Sequence, residues 1–598
     1  MQPSRTPSKS ADDQALARLG KQQVLKRRFG FWSLFGFAVC ELITWETVLA
    51  LFSQGFKNGG PAGLVYGFLI AWTSTFSVYT VVAELASLAP IASGQYYWTF
   101  MLSSEWSRVF LSYIIGWLTT LAWIATVTTE TLFAGTMIQG ILLVDYDDYK
   151  PENWHGTLLT WLVIAVCVFI NAVIPGALPR IEIVTVVLHV VGFIAIVATL
   201  WSCGSHRSAS FVFTTSLNEG NWPTQGLSYC VGFLGNVATF VGADASVHMA
   251  EEVSNPSLNI PRAITGSMIL NGIVGFVMML TVLFSLGDVQ ATLNSETDFP
   301  YMKIFLDNVK SVPGATVMIA VVLILTWTCA MGITTASSRM TWSFARDLGL
   351  PFSSTVKQVT KRSRAPVNAI GIVTACAVAL TLIYIGSAVA FNDVISLTIT
   401  GFYGSYLVPA VLLLYRRIKG EILPHRAMLQ GEEPSPHSPD LSPEPEPEPA
   451  IVVSTDPEDP KLQDTATTTE KSHGLSSTSS DPATTTTPGD HKANLVAYVP
   501  SQLYWGPWHI PGILGILNNA YACIYMVFVI FWSVWPPRTP VSPATMNYSV
   551  LVTGGVILFS IFWYYVRGRK EYRGPLLERP SGAMNGAGPR KEASVINI

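Results

Sequence analysis

The chain has 598 residues, of which 50% are hydrophobic and only 13% charged, with a mean hydropathy of +0.39. That is more apolar surface than the cores of a soluble multidomain protein absorb, so the composition excludes an ordinary soluble enzyme and makes a bilayer the solvent. The net charge of −3 leaves no nucleic-acid footprint; what matters is where the charges lie relative to the membrane.

The amino terminus is polar and basic through Arg28 and lacks a short apolar region followed by a small-residue cleavage site. No removable signal peptide is expected, and the first membrane helix is read as the targeting signal. Apolar runs then fall near 31–53, 62–83, 110–143, 158–178, 181–202, 228–250, 263–286, 314–338, 368–388, 394–415, 512–535 and 549–566. They are close to the ~20 residues that carry a helix across ~30 Å of hydrocarbon, unlike the weakly alternating strands of an outer-membrane barrel. The chain is therefore read as an all-α membrane protein of about twelve transmembrane helices.

An even number of spans puts both ends on one side. Lys26, Arg27 and Arg28 share that side with Arg262, Arg339, Arg346, Lys357, Lys361, Arg416, Arg417, Arg567 and Lys570. The opposite loops are acidic or mixed, as at Asp145, Asp147, Asp148 and Glu152, or Asp288, Glu296, Asp298 and Asp307. The bias of basic residues towards the cytoplasm places both termini there.

These signals divide the chain into a cytoplasmic tail at 1–30, a ten-helix transport core at 31–415, a cytoplasmic loop at 416–511, two more spans within 512–566 and a cytoplasmic tail at 567–598. Between 420 and 500 the composition turns to Pro, Ser, Thr, Glu and Asp, with the run Pro443-Glu444-Pro445-Glu446-Pro447-Glu448-Pro449. Such a segment cannot build a core; it reads as a phosphorylatable loop for cytoplasmic regulators or as an inert insertion, with no transport role. Asn547-Tyr548-Ser549 is the one acceptor sequon without a central proline. Asn547 is thus the candidate glycosylation site, outside and close to the membrane.

Cys40, Cys167, Cys230, Cys329, Cys376 and Cys523 fall inside apolar stretches, with Cys203 at an edge. They show neither a disulfide framework nor metal-ligand spacing and read as small core residues. No cluster combines a nucleophile, a base and oxyanion donors, so no catalytic residue, metal or cofactor is assigned.

Ionisable groups inside spans cost roughly 2.5 to 3.5 kcal/mol each at a helix centre, so each one asks for a reason. Glu41 and Glu46 lie in a stretch where Ala38 and Cys40 keep the side chains small and Gly36 weakens the helix, which allows a break at mid-membrane. A broken helix exposes backbone groups to a substrate. Glu41 is the candidate partner for a substrate ammonium or carrier of a coupling proton, against a purely structural hydrogen bond; Glu46, nearer the outer end, suits a structural or vestibule role.

The sixth span repeats the pattern at Gly235, Asn236, Phe240 and Gly242, so Gly36, Ala38, Cys40, Glu41, Gly235, Asn236 and Phe240 are the candidate substrate-binding residues. Phe240 reads as an aromatic lid or as ordinary packing. Asp244, His248 and Glu252 recur at i, i+4 and i+8, a shared helix face suited to an inner gate. His189, midway along the fifth span, is the second proton-coupling candidate, against a neutral histidine satisfied by one backbone carbonyl.

Three segments carry a family resemblance: Ala83-Glu84-Leu85-Ala86-Ser87-Leu88-Ala89-Pro90-Ile91-Ala92-Ser93-Gly94-Gln95-Tyr96-Tyr97-Trp98; His248-Met249-Ala250-Glu251-Glu252-Val253 with Pro256, Pro261 and Arg262; and Ser343-Phe344-Ala345-Arg346-Asp347 to Gly349-Leu350-Pro351. Together they resemble the fungal amino-acid/choline transporter family of the amino acid, polyamine and organocation superfamily, over nearly the whole chain except the insertion.

The resemblance implies a five-plus-five inverted repeat, a leucine-transporter-like fold, plus two C-terminal helices. It also implies a central site between spans one, three, six, eight and ten, and proton-driven uptake across the plasma membrane. The motif-bearing loops are expected to hold the gate rather than touch substrate. Where choline-carrier-like relatives often have small or polar residues in the first break and a Trp in the sixth span, this chain has Glu41 and Ala238. It also lacks a fifth-span lysine, so His189 or Glu41 must carry any coupling.

The leading expectation is proton-coupled uptake of an amino acid or related small amine, the carboxylate meeting half-helix amides and the ammonium meeting Glu41. A choline-like quaternary amine, recognised by a cage drawn from Trp45, Trp117, Trp123 and Phe240, is the nearest rival. A polyamine carrier, an exporter of a secondary metabolite and a nutrient receptor that signals without flux are the further alternatives.

Overall fold

A computed structural model of the chain describes residues 11–295, 297, 299–386, 390–425, 502–543 and 545–576. Most of the low-complexity stretch at 420–500, both chain ends, and Glu296 and Asp298 lie outside the described residues.

Among the described residues, eleven helices are long and apolar enough to cross a membrane. The first span is Phe31–Leu42 continued by Thr44–Ala50, and the second lies within Phe52–Leu88, which turns at Gly60 ahead of Pro61. Arg108–Asp145, Asn153–Val173 and Leu178–Cys203 are the third to fifth. Pro256–Phe284, Val312–Arg346, Val367–Gly386 and Ala390–Ile418 are the seventh to tenth, and Gly512–Ser533 and Ser549–Trp563 the last two.

The twelfth expected element is the sixth span, which escapes a length criterion because it is broken into Gln225–Ala238 and the single turn Ala245–His248. The all-α membrane architecture read from the apolar runs is the one observed. Breaks in the first and sixth spans stand five spans apart, as a five-plus-five repeat requires.

Burial orders the bundle. In the apolar window of the first span 94% of residues are buried, against 17% in the twelfth, so the broken helix is central and the last one peripheral. The first span packs on the fifth, seventh and eighth, the second on the sixth and seventh, and the third on the eighth and tenth. Not every cysteine is a core residue: Cys203 and Cys376 are exposed.

At the end that carries the amino terminus, buried ion pairs tie the loops together. Arg346 grips Glu251 with two nitrogens at 2.6 and 3.0 Å, Arg339 Nε lies 2.8 Å from Glu252, and Arg417 lies 2.6 Å from Glu84. Asp347 gathers Lys21, the Tyr96 hydroxyl at 2.8 Å and the Leu576 amide at 3.0 Å. Beside this cluster, strands β1 (Ile422–Leu423) and β2 (Leu503–Tyr504) pair in parallel and draw the two edges of the long insertion together.

Candidate functional site

The first span breaks at Ile43, whose φ of 29° and ψ of 50° put a β-branched residue in left-handed backbone. Such strain persists only where surroundings hold it, and it collects at functional sites. Asn271 of the seventh span supplies the hold: its Oδ1 accepts from the Thr44 amide and its Nδ2 donates to the Val39 carbonyl, both at 3.3 Å. One side chain thereby bonds the backbone on both sides of the break, adding to the Val39 carbonyl's bond from the Ile43 amide at 3.2 Å.

In the sixth span, Gly242 has a φ of 120°, and a Cβ there would lie 2.6 Å from the Glu41 carbonyl oxygen. Glycine is required both by that backbone and by the contact between the two breaks. The Tyr79 hydroxyl accepts from the Gly242 amide at 3.1 Å.

Glu41 ends the first half-helix at 1% exposure, and neither of its carboxylate oxygens has a hydrogen-bond partner. Gly332 of the eighth span makes room for it: a Cβ there would run into Oε1. Glu41 also borders a cavity of about 20 Å³, lined by Ile43, Thr129, Glu130, Ala238, Val241 and Thr398 among others.

Glu130, from the third span, is 8% exposed, and its Oε2 has no partner. Glu182, from the fifth span, is fully buried with both oxygens unbonded; its backbone carbonyl accepts from Cys40 Sγ at 3.8 Å. Sequence reasoning passed over Glu130 and Glu182, although each carries the signal that marked Glu41, an acid inside an apolar run.

Of the first-span candidates, only Glu41 lines the cavity. Gly36 and Cys40 face the backbone of Glu182, and Ala38 is core. In the sixth span Gly235 borders a different cavity, Asn236 packs over Gly67, and Phe240 packs on Phe68 with centroids 4.9 Å apart; Ala238 and Val241 line the central cavity instead.

His189 Nδ1 lies 2.7 Å from Glu46 Oε1, both residues 1% exposed, so the histidine meets a carboxylate rather than a backbone carbonyl. Of the three inner-gate candidates, Asp244 and His248 come within 3.8 Å of each other, whereas Glu252 leaves their face. The helix stops at His248 and passes into a 3₁₀ turn at Ala250–Glu252. His248 Nε2 accepts from the Trp123 indole at 2.9 Å, and its Nδ1 lies 2.8 Å from the Ala92 carbonyl. Asp244 accepts from Gln95 at 2.8 Å, and Glu252 pairs with Arg339.

Towards the end opposite the amino terminus a second cavity of about 540 Å³ opens, bordered by Lys57, Thr136, Phe299, Asp393, Arg538 and Asn547 among others. The two cavities adjoin along the third span, with Phe133 on the small one and Leu132 and Thr136 on the large one. Asn547 is 3% exposed, and its Nδ2 donates to Ser396, Ser533 and Trp535 at 3.0 to 3.2 Å. That nitrogen is the atom a glycan would take, so the sequon holds a buried structural amide rather than an accessible acceptor.

The chain matches the amino acid permease family model over residues 29–436. It is 28% identical to a putative amino acid/polyamine transporter of Macrophomina phaseolina over 65% of this chain and 86% of that protein. It is 29% identical to the choline transporter of Saccharomyces cerevisiae (66% and 70%) and 27% identical to the GABA-specific permease of the same yeast (67% and 72%). A solved structure of a nucleobase-cation-symport-1 family transporter, closed with bromovinylhydantoin bound, is similar at a TM-score of 0.44 and 14% identity over 69% of this chain and 85% of that one. With the family model spanning more than half its length, the chain belongs to the amino acid permease family of membrane transporters.

Proposed function

We propose that this permease takes up an amino acid or related small amine with a proton by alternating access, in the plasma membrane, with the ion-paired end and both termini facing the cytoplasm. The observation that carries the reading is the Glu41 carboxylate: fully buried, unbonded, and placed at the break of the central helix beside a cavity. A carboxylate left without a partner at that depth is costly unless a proton or a cationic substrate completes it during the cycle. We assign the exchange to Glu41 rather than His189, because the histidine already faces Glu46.

The names of its relatives support substrates in the amino acid and amine range. A quaternary amine is less favoured by the lining. It would need an aromatic cage, and among the described residues around the small cavity Phe133 is the sole aromatic. Trp123 is bonded to His248, Trp117 packs on Phe559 and Trp45 packs on His189.

The test is uptake of labelled neutral amino acids, 4-aminobutyrate and choline by cells expressing the chain, with and without a protonophore. Saturable, protonophore-sensitive uptake, abolished by Glu41→Gln at unchanged surface expression, is expected. Absence of uptake across the panel would turn the assignment to export or sensing.

A further inference from the structure

Arginines at the ion-paired end commonly face a carboxylate: Arg27 meets Asp13, Arg339 Glu252, Arg346 Glu251, Arg417 Glu84 and Arg567 Glu571. The loop between the eighth and ninth spans is different. Lys357, Lys361, Arg362 and Arg364 stand exposed within eight residues, and among the described residues none has a carboxylate partner. From Leu348 to Gly386, the rest of that loop and the whole ninth span, the chain holds no acidic residue. Asp347, just before it, is taken up by Lys21, the Tyr96 hydroxyl and the Leu576 amide.

The loop is firmly built. Val356 packs with Leu25, Trp342 and Ala369. Trp342 Nε1 donates to the Lys357 carbonyl at 3.0 Å and Asn368 Nδ2 to the Thr355 carbonyl at 2.8 Å, which ties the loop to both spans it joins. The Thr360 amide donates to the Ala365 carbonyl at 3.0 Å and the Arg364 amide to the Thr360 carbonyl at 2.8 Å, closing a turn that carries Lys361, Arg362 and Arg364. Arg364 precedes the ninth span, which begins at Val367, by less than one helical turn. Ahead of the cations, Phe352 is 82% exposed and held in left-handed backbone with a φ of 56°. A large ring carried outward on strained backbone gains nothing in water, whereas aromatic rings collect at the headgroup level of a bilayer.

Cations without internal partners, next to a span and accompanied by a bare aromatic ring, complement a surface that is negative outside and apolar beneath. Basic clusters of this size beside a transmembrane helix attract anionic lipid within about a Debye length. A soluble acidic peptide would answer the charges and leave Phe352 in water. We propose that residues 348–366 dock on anionic lipid of the leaflet at the ion-paired end, with Phe352 at headgroup depth and the four cations on lipid phosphates and carboxylates. This goes beyond the transport reading and needs neither a substrate nor an assigned orientation, because lipid discs carry the same composition on both faces.

The experiment places the purified full-length protein in discs of phosphatidylcholine alone, or with about one-third phosphatidylserine, and follows amide hydrogen exchange across 348–366. A polarity-sensitive dye at Ser354→Cys, with Cys203, Cys230 and Cys376 replaced by serine, reports on the same loop. Phosphatidylserine is expected to slow exchange and to shift the dye's emission to shorter wavelength. Both effects should vanish in ~1 M salt, where the Debye length is about 3 Å. Replacing Lys361 and Arg362 together by glutamine is expected to raise the phosphatidylserine fraction needed for half the shift by at least about threefold.

Exchange and emission that are the same in the two lipids would overturn the inference. So would a response that survives the double replacement unchanged, or one that glycerophosphoserine or a soluble poly-glutamate peptide reproduces in phosphatidylcholine alone. Because hydrogen exchange is measured on the unaltered chain, the proposal is decided even where a variant does not fold.

Discussion

Gly332 lies where the bare backbone of the eighth span backs onto the Glu41 carboxylate, and a single methyl there would occupy the place of Oε1. The backbone of Glu41 is held, since Gly242 closes on its carbonyl and Cys329 Sγ lies 3.7 Å from the same oxygen, so a methyl at position 332 must be met by the side chain turning away. Gly332→Ala is therefore expected to reduce uptake by at least about tenfold, ~1.4 kcal/mol, with surface expression retained; unchanged uptake would show that the carboxylate can be displaced without consequence. Glu41 was legible in the sequence as an acid inside an apolar run. Gly332 and Asn271 were not, because their roles are distances to residues far away along the chain, and a glycine or asparagine in a membrane helix has many other uses.

Helices were the most legible elements, since a run of apolar residues has a length and the bilayer sets the length required. The glycine-marked break in the sixth span was readable for the same reason that the repeat was: weak helix formers interrupt an otherwise apolar stretch. The continuation of its polar stripe failed because periodicity assumes an unbroken helix, and the turn after His248 changes the phase.

The two-residue strands β1 and β2 had no signal at all, being separated by the whole insertion. Their pairing, reinforced by the Trp505 amide on the Leu423 carbonyl at 2.9 Å, closes the loop at its base. Lengthening a loop whose ends are already held adds little entropic cost. Replacing residues 426–501 by a short flexible linker is accordingly expected to leave both the melting temperature in detergent and the uptake rate unchanged. A lowered melting temperature would show that the insertion contributes packing.

At the scale of the whole molecule the two ends are unlike: one is closed by buried ion pairs, the other holds a cavity of about 540 Å³. Buried pairs return little net stability because desolvation offsets most of their attraction, which would suit a gate under the proposed alternating-access cycle. Asp347 is where the N-terminal segment, the loop after the second span and the segment after the twelfth span converge.

Asp347→Asn is expected to loosen that end and so to accelerate modification of the buried Cys40 and Cys329 by a small thiol reagent, measured with Cys203 and Cys376 replaced by serine. An unchanged labelling rate would show that closure does not depend on Asp347. The large cavity has a pharmacological consequence. At about 540 Å³ it has the capacity of a pocket for a drug-sized molecule, whereas the chamber beneath Phe133 does not. A compound that fills the large cavity but is too bulky for the small one would act like a stopper, arresting turnover without ever becoming cargo.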